Sequence, residues 1–204
     1  GALDAEFRES MRAEIKELHI RQNATTVYVT HDQIEAMAMG DRIVVMSEAV
    51  VQQVGTPADV YHDPSNLFVA RFIGSPGMNL LQGQYSDGVV KLPGDNRLTV
   101  PGVWKSALEN GLNDASGNVI VGFRPEAAQI QEQGEINATV FADDLHGGYS
   151  MLHLELVEGE IVHARAARQD KFEIGTPTRF NVDPAMIRFF HPGTEMALQK
   201  EGTA

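Results

Sequence analysis

Apolar positions follow two different periods along the chain, and the change between them divides it. Phe7, Met11, Ile15 and Leu18 recur every three or four residues, which puts them on one face of a helix. Asp4 is placed to cap that helix, with Glu6 and Glu9 near the positive end of its dipole. Thr25-Thr26-Val27-Tyr28-Val29-Thr30 is short, β-branched and aromatic, and it predicts a strand buried on both faces. Asp32-Gln33-Ile34-Glu35 has the spacing of a capping box and opens a second helix running to Met39, with Gly40 as its stop. Ile43-Val44-Val45-Met46 predicts another strand. The order helix, strand, helix, strand indicates an α/β piece with a parallel sheet.

Two short helices follow. Thr56-Pro57 is an N-cap followed by an N1 proline, leading into Ala58 to His62, and Asp63-Pro64 predicts the start of a second. In that second helix Leu67, Phe68, Phe72 and Ile73 are apolar and Gly74 marks the stop. Ser75-Pro76-Gly77 is a turn cluster and the candidate domain boundary. Beyond it the period shortens. The β-like runs Leu80–Tyr85, Gly88–Leu92, Arg97–Val100, Val119–Arg124, Ile136–Phe141, Ser150–Leu156, Ile161–Ala166 and Pro177–Val182 alternate with Gly, Asn and Asp turns. One short helix is expected near Val103–Glu109. Many short strands with regular turns predict a small barrel or sandwich.

Composition narrows the classes. The chain has 204 residues and a formal net charge of −12, with 16 Lys and Arg against 28 Asp and Glu. The acid is spread over both halves and no Lys/Arg cluster offers a phosphate-neutralising stripe, which argues against nucleic acid and against an anionic membrane surface. There is no cysteine. That excludes disulfides, a thiolate nucleophile and Cys-ligated metal. No apolar run reaches the roughly 18–20 residues that span a bilayer.

The chemistry-bearing patterns are few. The chain holds no phosphate-loop pattern, no G-x-G-x-x-G, no H-E-x-x-H and no G-x-S-x-G. Seven histidines are present, but no two stand at ligand spacing on a predicted helix, so no metal site is expected. His31 stands at the carboxyl end of the first predicted strand, where ligands of parallel sheets bind. A lone histidine there is more often a loop or capping residue than a functional one. His146-Gly147-Gly148-Tyr149-Ser150 reads as a hairpin turn, and Asp143 and Asp144, adjacent on a strand, as a solvated edge with their side chains on opposite faces.

Several stretches, taken in order, resemble one family. Gly1-Ala2-Leu3-Asp4 is similar to the D-loop of ABC-transporter ATPases. Thr30-His31-Asp32-Gln33 with Glu35-Ala36-Met37 resembles their switch-histidine motif, and Asp41 to Met46 the strand after it. Gln53-x-Gly55-Thr56-Pro57 and the run Asn66 to Gly74 are similar to the carbohydrate-importer branch. Gly122-Phe123-Arg124-Pro125-Glu126 resembles the motif of that branch's regulatory domain. The resemblance covers nearly the whole chain, with the maltose, multiple-sugar and glycerol-3-phosphate importer ATPases as the nearest types.

The resemblance implies an α/β remnant of a P-loop ATPase domain over residues 1–74, followed by an all-β OB-like barrel of the TOBE/MOP type over 75–204. The family's phosphate loop and catalytic glutamate precede the D-loop. The chain, which opens on Gly1, is therefore expected to be the C-terminal and regulatory end of a longer subunit, inactive by itself. ATP and Mg belong to the full-length protein and neither is expected on this part. His31 carries the family's catalytic role toward the γ-phosphate, and Asp4 lies at the dimer interface. Arg124, Pro125 and Glu126 form the regulatory motif, Arg124 and Glu126 reading as a structural ion pair rather than a ligand contact. Expected partners are a second copy, with exchange of N-terminal elements, transmembrane permease subunits and a periplasmic or lipoprotein solute-binding protein. The place implied is the cytoplasmic face of the inner membrane. Two alternatives are a stand-alone β-barrel sensing a small sugar or oxyanion, and a purely structural dimerisation domain.

The chain departs from the family at two points. Met46-Ser47-Glu48-Ala49-Val50-Val51 lacks the glycine usual in that hairpin, so a less tight turn is expected. The segment Asp143–Gly148 departs from the family pattern too, and no residue role is transferred there.

Overall fold

The structure, a computed structural model, describes residues 2–112 and 116–200, without the side chains of residues 2–6. By internal packing the described chain separates into two units that meet between Tyr61 and His62, ahead of the Ser75-Pro76-Gly77 turn.

The first unit opens on α1 (Ala2–Gln22), which starts before Asp4 and so places Asp4 in the first turn rather than at the cap. Gly1 lies outside the described residues. The face carrying Phe7, Met11 and Leu18 is exposed and Ile15 is half-buried. The short helix α2 (Gln33–Met39) covers little of it. Residues 25–30, expected as a buried strand, pair with no other strand among the described residues, and Val27 and Val29 are 86% and 90% exposed. Their β propensity is real, but a strand needs a neighbour to satisfy its backbone groups.

The sheet of this unit is instead an antiparallel hairpin of β1 (Ile43–Ser47) and β2 (Val50–Gly55), not part of a parallel sheet. Its turn is as short as a hairpin allows. Ser47 pairs with Val50 across Glu48 and Ala49, which both take left-handed φ values of 49° and 63°. The expected loosening does not occur: two non-glycine residues adopt the primed turn that matches strand twist. The last helix, α3 (Pro57–His62), is capped reciprocally. The Thr56 N–H donates to Asp59 Oδ2 at 2.8 Å, and the Asp59 N–H to Thr56 Oγ1 at 3.2 Å.

The second unit begins with α4 (Leu67–Phe72). Asn66 caps it, its Oδ1 accepting the Val69 N–H at 2.9 Å. Asp63, expected to open this helix, instead pairs with Arg188. Ten strands then build two sheets. One is β12-β6-β3-β4-β5, from β3 (Asn79–Ser86), β4 (Val89–Lys91), β5 (Arg97–Thr99), β6 (Asn118–Phe123) and β12 (Arg188–Phe190). The other is β10-β9-β8-β11-β7, from β7 (Ala128–Ile130), β8 (Ile136–His146), β9 (Tyr149–Val157), β10 (Glu160–Ala167) and β11 (Pro177–Val182). Helix α5 (Lys105–Gly111) follows β5 where a helix was expected. The β-like runs read from the sequence all become strands. Strands β7 and β12 were not among those runs.

Both sheets line one core, including Leu81, Val121, Phe123, Leu152, Leu154, Phe180 and Phe189, with Trp104 set edge-on against Phe189 at 5.2 Å. Two buried asparagines stitch the sheets together. The Asn79 side chain donates to the His163 carbonyl and accepts the His163 N–H, both at 2.8 Å. The Asn96 side chain likewise donates to the Asn137 carbonyl at 3.1 Å and accepts the Asn137 N–H at 2.8 Å. In each case one primary amide meets both backbone groups of a single residue, as a neighbouring strand would. No helix among the described residues is long and apolar enough to cross a membrane.

Candidate functional site

In the first unit the side chains flanking His31 are all used to hold backbone. The Thr30 hydroxyl accepts the Asp32 N–H at 2.9 Å and donates to Glu35 Oε2 at 2.8 Å. Asp32 Oδ1 caps α2 by accepting the N–H groups of Ile34 and Glu35, at 2.8 and 3.2 Å. Only half of the capping box forms, because Glu35 turns to Thr30 instead of reaching back to Asp32. The buried Glu35 also accepts from the Tyr28 hydroxyl at 3.3 Å and faces Arg8 at 3.8 Å. Partial burial, and then the Glu35 charge, push the Tyr28 phenol up from its ordinary pKa.

His31 stands between these fixed residues with its side chain exposed, and no hydrogen bond holds its ring among the described residues. A pinned backbone under a free imidazole suits a group that must meet a ligand at a fixed place, since positioning is the main requirement of such a contact. The histidine was legible in the sequence. The Tyr28–Thr30–Glu35 network was not, because the predicted strand would have turned those side chains into a core. Asp4 lies in the same unit, on the first turn of α1, with its side chain outside the described residues.

In the second unit Arg124 is 1% exposed. Its Nη1 donates to the carbonyls of Ala70, at 3.3 Å, and Ile73. These carbonyls belong to the end of α4, where helix carbonyls lack intrahelical partners and a cation suits the dipole. Arg124 therefore fastens α4 to the end of β6. Pro125 is buried at the start of a single 3₁₀ turn, Pro125–Ala127. Glu126, half-buried, lines a cleft of 340 Å³ with Gly148, Tyr149, Arg165, Ala166 and Ala167. Arg165 and Tyr149 carried no signal in the sequence.

Two five-stranded antiparallel sheets closed on one core, with an arginine anchoring a preceding helix, define the second unit as an OB-like β domain. Residues 74–128 match the family of the MalK OB fold domain, and residues 121–190 that of the TOBE domain. The chain is 39% identical over 205 residues to the oligosaccharides import ATP-binding protein MsmX of Bacillus subtilis (strain 168), covering 97% of this chain and 55% of that one. It is 39% identical over 206 residues to the sn-glycerol-3-phosphate import ATP-binding protein UgpC 2 of Agrobacterium fabrum, covering 99% and 53%. It is also 39% identical over 199 residues to the putative uncharacterized ABC transporter ATP-binding protein YcjV of Escherichia coli (strain K12), covering 97% and 54%. The chain belongs to this family of ABC-transporter ATP-binding proteins with MalK-type OB fold and TOBE domains. It spans about half the length of the curated relatives it matches.

Proposed function

We propose that the chain is the C-terminal, regulatory portion of the ATP-binding subunit that powers an ABC importer for sugars or related small solutes. Residues 1–74 are then the end of the nucleotide-binding domain and 75–204 the regulatory domain. The observation that carries this reading is the His31 turn, in which Thr30, Asp32 and Glu35 fix the backbone and leave the imidazole free. Support also comes from relatives named as import ATP-binding proteins, for oligosaccharides in one case and sn-glycerol-3-phosphate in another.

In the full subunit His31 donates an imidazole N–H to charge developing on the γ-phosphate of ATP, with Mg supplied by the same nucleotide site. Donors aimed at developing charge are the principal tool of phosphoryl transfer. Asp4 sits at the interface of a homodimer and couples its two nucleotide sites. The remaining partners are permease subunits in the membrane and a periplasmic or lipoprotein solute-binding protein. The subunit works at the cytoplasmic face of the inner membrane.

In the full subunit, His31→Ala is expected to slow ATP hydrolysis about 100-fold or more while leaving nucleotide affinity nearly unchanged. An unaltered rate removes His31 from the mechanism. The chain by itself is expected neither to bind ATP tightly nor to hydrolyse it. Hydrolysis that persists through purification and vanishes in His31→Ala would contradict that. Light scattering is expected to give twice the chain mass, and a clean monomer at high concentration counts against the homodimer.

A further inference from the structure

Strand β10 is an edge of its sheet, and its outward backbone groups are used unevenly. The N–H and C=O of His163 both go to the Asn79 side chain, so they point away from β9. Backbone direction alternates along an antiparallel strand, and no register shift falls between Ile161 and Ala167. Arg165 and Ala167 therefore face outward as well. The Ala167 carbonyl accordingly accepts the Asp170 N–H, at 3.0 Å. The Arg165 N–H and C=O and the Ala167 N–H have no partner among the described residues. Asn79 closes the edge at His163, so the open stretch runs from Arg165 toward Ala167. Unpaired groups of this kind are a template for another strand.

The side chains along this stretch state what that strand should carry. A residue paired opposite Arg165 has its own side chain on the same face as the guanidinium. There the Arg165 guanidinium carbon lies 4.1 Å from the Tyr149 ring centroid, and Tyr149 stacks in turn on His146, with rings parallel to within 4° and 5.3 Å apart. Stacking orders the long side chain in advance, so less freedom is lost on binding. The guanidinium is exposed and has neither a hydrogen bond nor an ion pair among the described residues. From Arg165 to Lys171 the chain carries three cations and one acid, against 16 basic and 28 acidic residues overall. The residues flanking the paired one turn to the inner side, where β10 presents only the small Ala164 and Ala166. A cleft of 340 Å³ lies along this edge, bordered on its far side by the 3₁₀ turn Pro125–Ala127. Glu126, on that turn, already has a partner of its own and is assigned no contact.

We propose that the β10 edge from Arg165 to Ala167 docks an extended acidic peptide segment of another protein, which adds a short antiparallel strand and sets a carboxylate opposite Arg165. This goes beyond the ATPase reading and does not depend on it, since every residue involved lies in the second unit.

The probe is the acetylated, amidated pentapeptide Thr-Val-Asp-Val-Thr, titrated into the isotope-labelled chain at low salt, with amide exchange read residue by residue. The Arg165 and Ala167 amides are expected to slow about tenfold near saturation, while the His163 amide, already held by Asn79, does not change. A peptide with Asn in place of Asp is expected to bind about threefold more weakly, and Arg165→Gln to bring the two peptides to equal affinity. The Asp peptide N-methylated at its Asp keeps the carboxylate but loses the donor to the Arg165 carbonyl, and it is expected not to bind. Circular dichroism and melting temperature, unchanged in Arg165→Gln, separate a lost contact from a lost fold. Absent protection of Arg165 and Ala167, or equal binding of the N-methylated peptide or of sodium acetate, would overturn the proposal. So would protection of both amides in the chain alone that rises with its concentration, because a second copy then occupies the edge.

Discussion

Arg124 has a role that its charge alone does not suggest. The sequence offers it as half of an ion pair with Glu126, and the structure adds that it secures two carbonyls at the end of α4. Removing it takes a charged donor from both acceptors, of which Ala70 keeps the Met78 N–H at 3.0 Å, and charge-assisted bonds of this kind are the stronger ones. Arg124→Leu is expected to lower stability by about 3 kcal/mol in urea unfolding. A loss under half a kcal/mol would mean that the clamp is dispensable. His163 makes the opposite case, a titratable group set against other titratable groups. Its ring lies edge-on to His153 at 4.7 Å, and His153 Nε2 lies 3.0 Å from Asp144 Oδ2. Burial first, then His153, lowers the His163 pKa, with Asp144 acting in the other direction. In acid the unfolded chain therefore binds a proton at this site that the folded chain resists. The associated stability is complete above about pH 6.5, the ordinary histidine value, and is lost as pH falls through the lower folded value. Between pH 8 and pH 5, His163→Gln is expected to lose less urea stability than the parent. Equal losses would show that other groups govern the acid limb.

At the scale of elements, the β1-β2 turn and residues 25–30 went against local preference for different reasons. Glu48 and Ala49 hold left-handed backbone conformations at a cost of about 1 kcal/mol each, because pairing from Ser47–Val50 onward fixes the turn at two residues. Substituting Asn at Glu48 and Gly at Ala49 together is expected to stabilise the hairpin by about 1 kcal/mol. Native-state proteolysis within it should slow about fivefold, in line with a smaller open population. No change would mean that the strain is already relieved by the neighbouring bulge between Val45 and Met46. Helices with a cap, α2 and α3, were legible because capping is local chemistry written in two or three side chains. The 25–30 strand was misread because its residue types report a preference, while its state depends on partners that no local pattern can report. The same distinction separates His31, found by its motif, from the stacking of Arg165 on Tyr149, which arises only when β9 is paired beside β10.

At the scale of the whole molecule, the alternation of short apolar runs with Gly, Asn and Asp turns was enough to announce two sheets of antiparallel strands. It could not announce how the sheets are joined. Asn79 and Asn96 stand next to apolar runs without belonging to their pattern, yet their side chains span the gap between sheets. Among the eight groups in these two contacts, four side-chain and four backbone, those of His163 and Asn137 are the telling ones. β10 is an edge strand, and β9 pairs with β8 only from Thr139 onward. Amide hydrogens at such places normally exchange with solvent quickly. Here each is donated to a buried asparagine, so exchange requires the two sheets to part and not merely an edge to fray. In deuterium-exchange measurements the His163 and Asn137 amides are expected to be as protected as those in the middle of β9. In Asn79→Ala the protection of His163 should fall at least tenfold while that of Asn137 persists. Solvent's way to these two amides then runs through two side chains that no apolar pattern in the sequence points out.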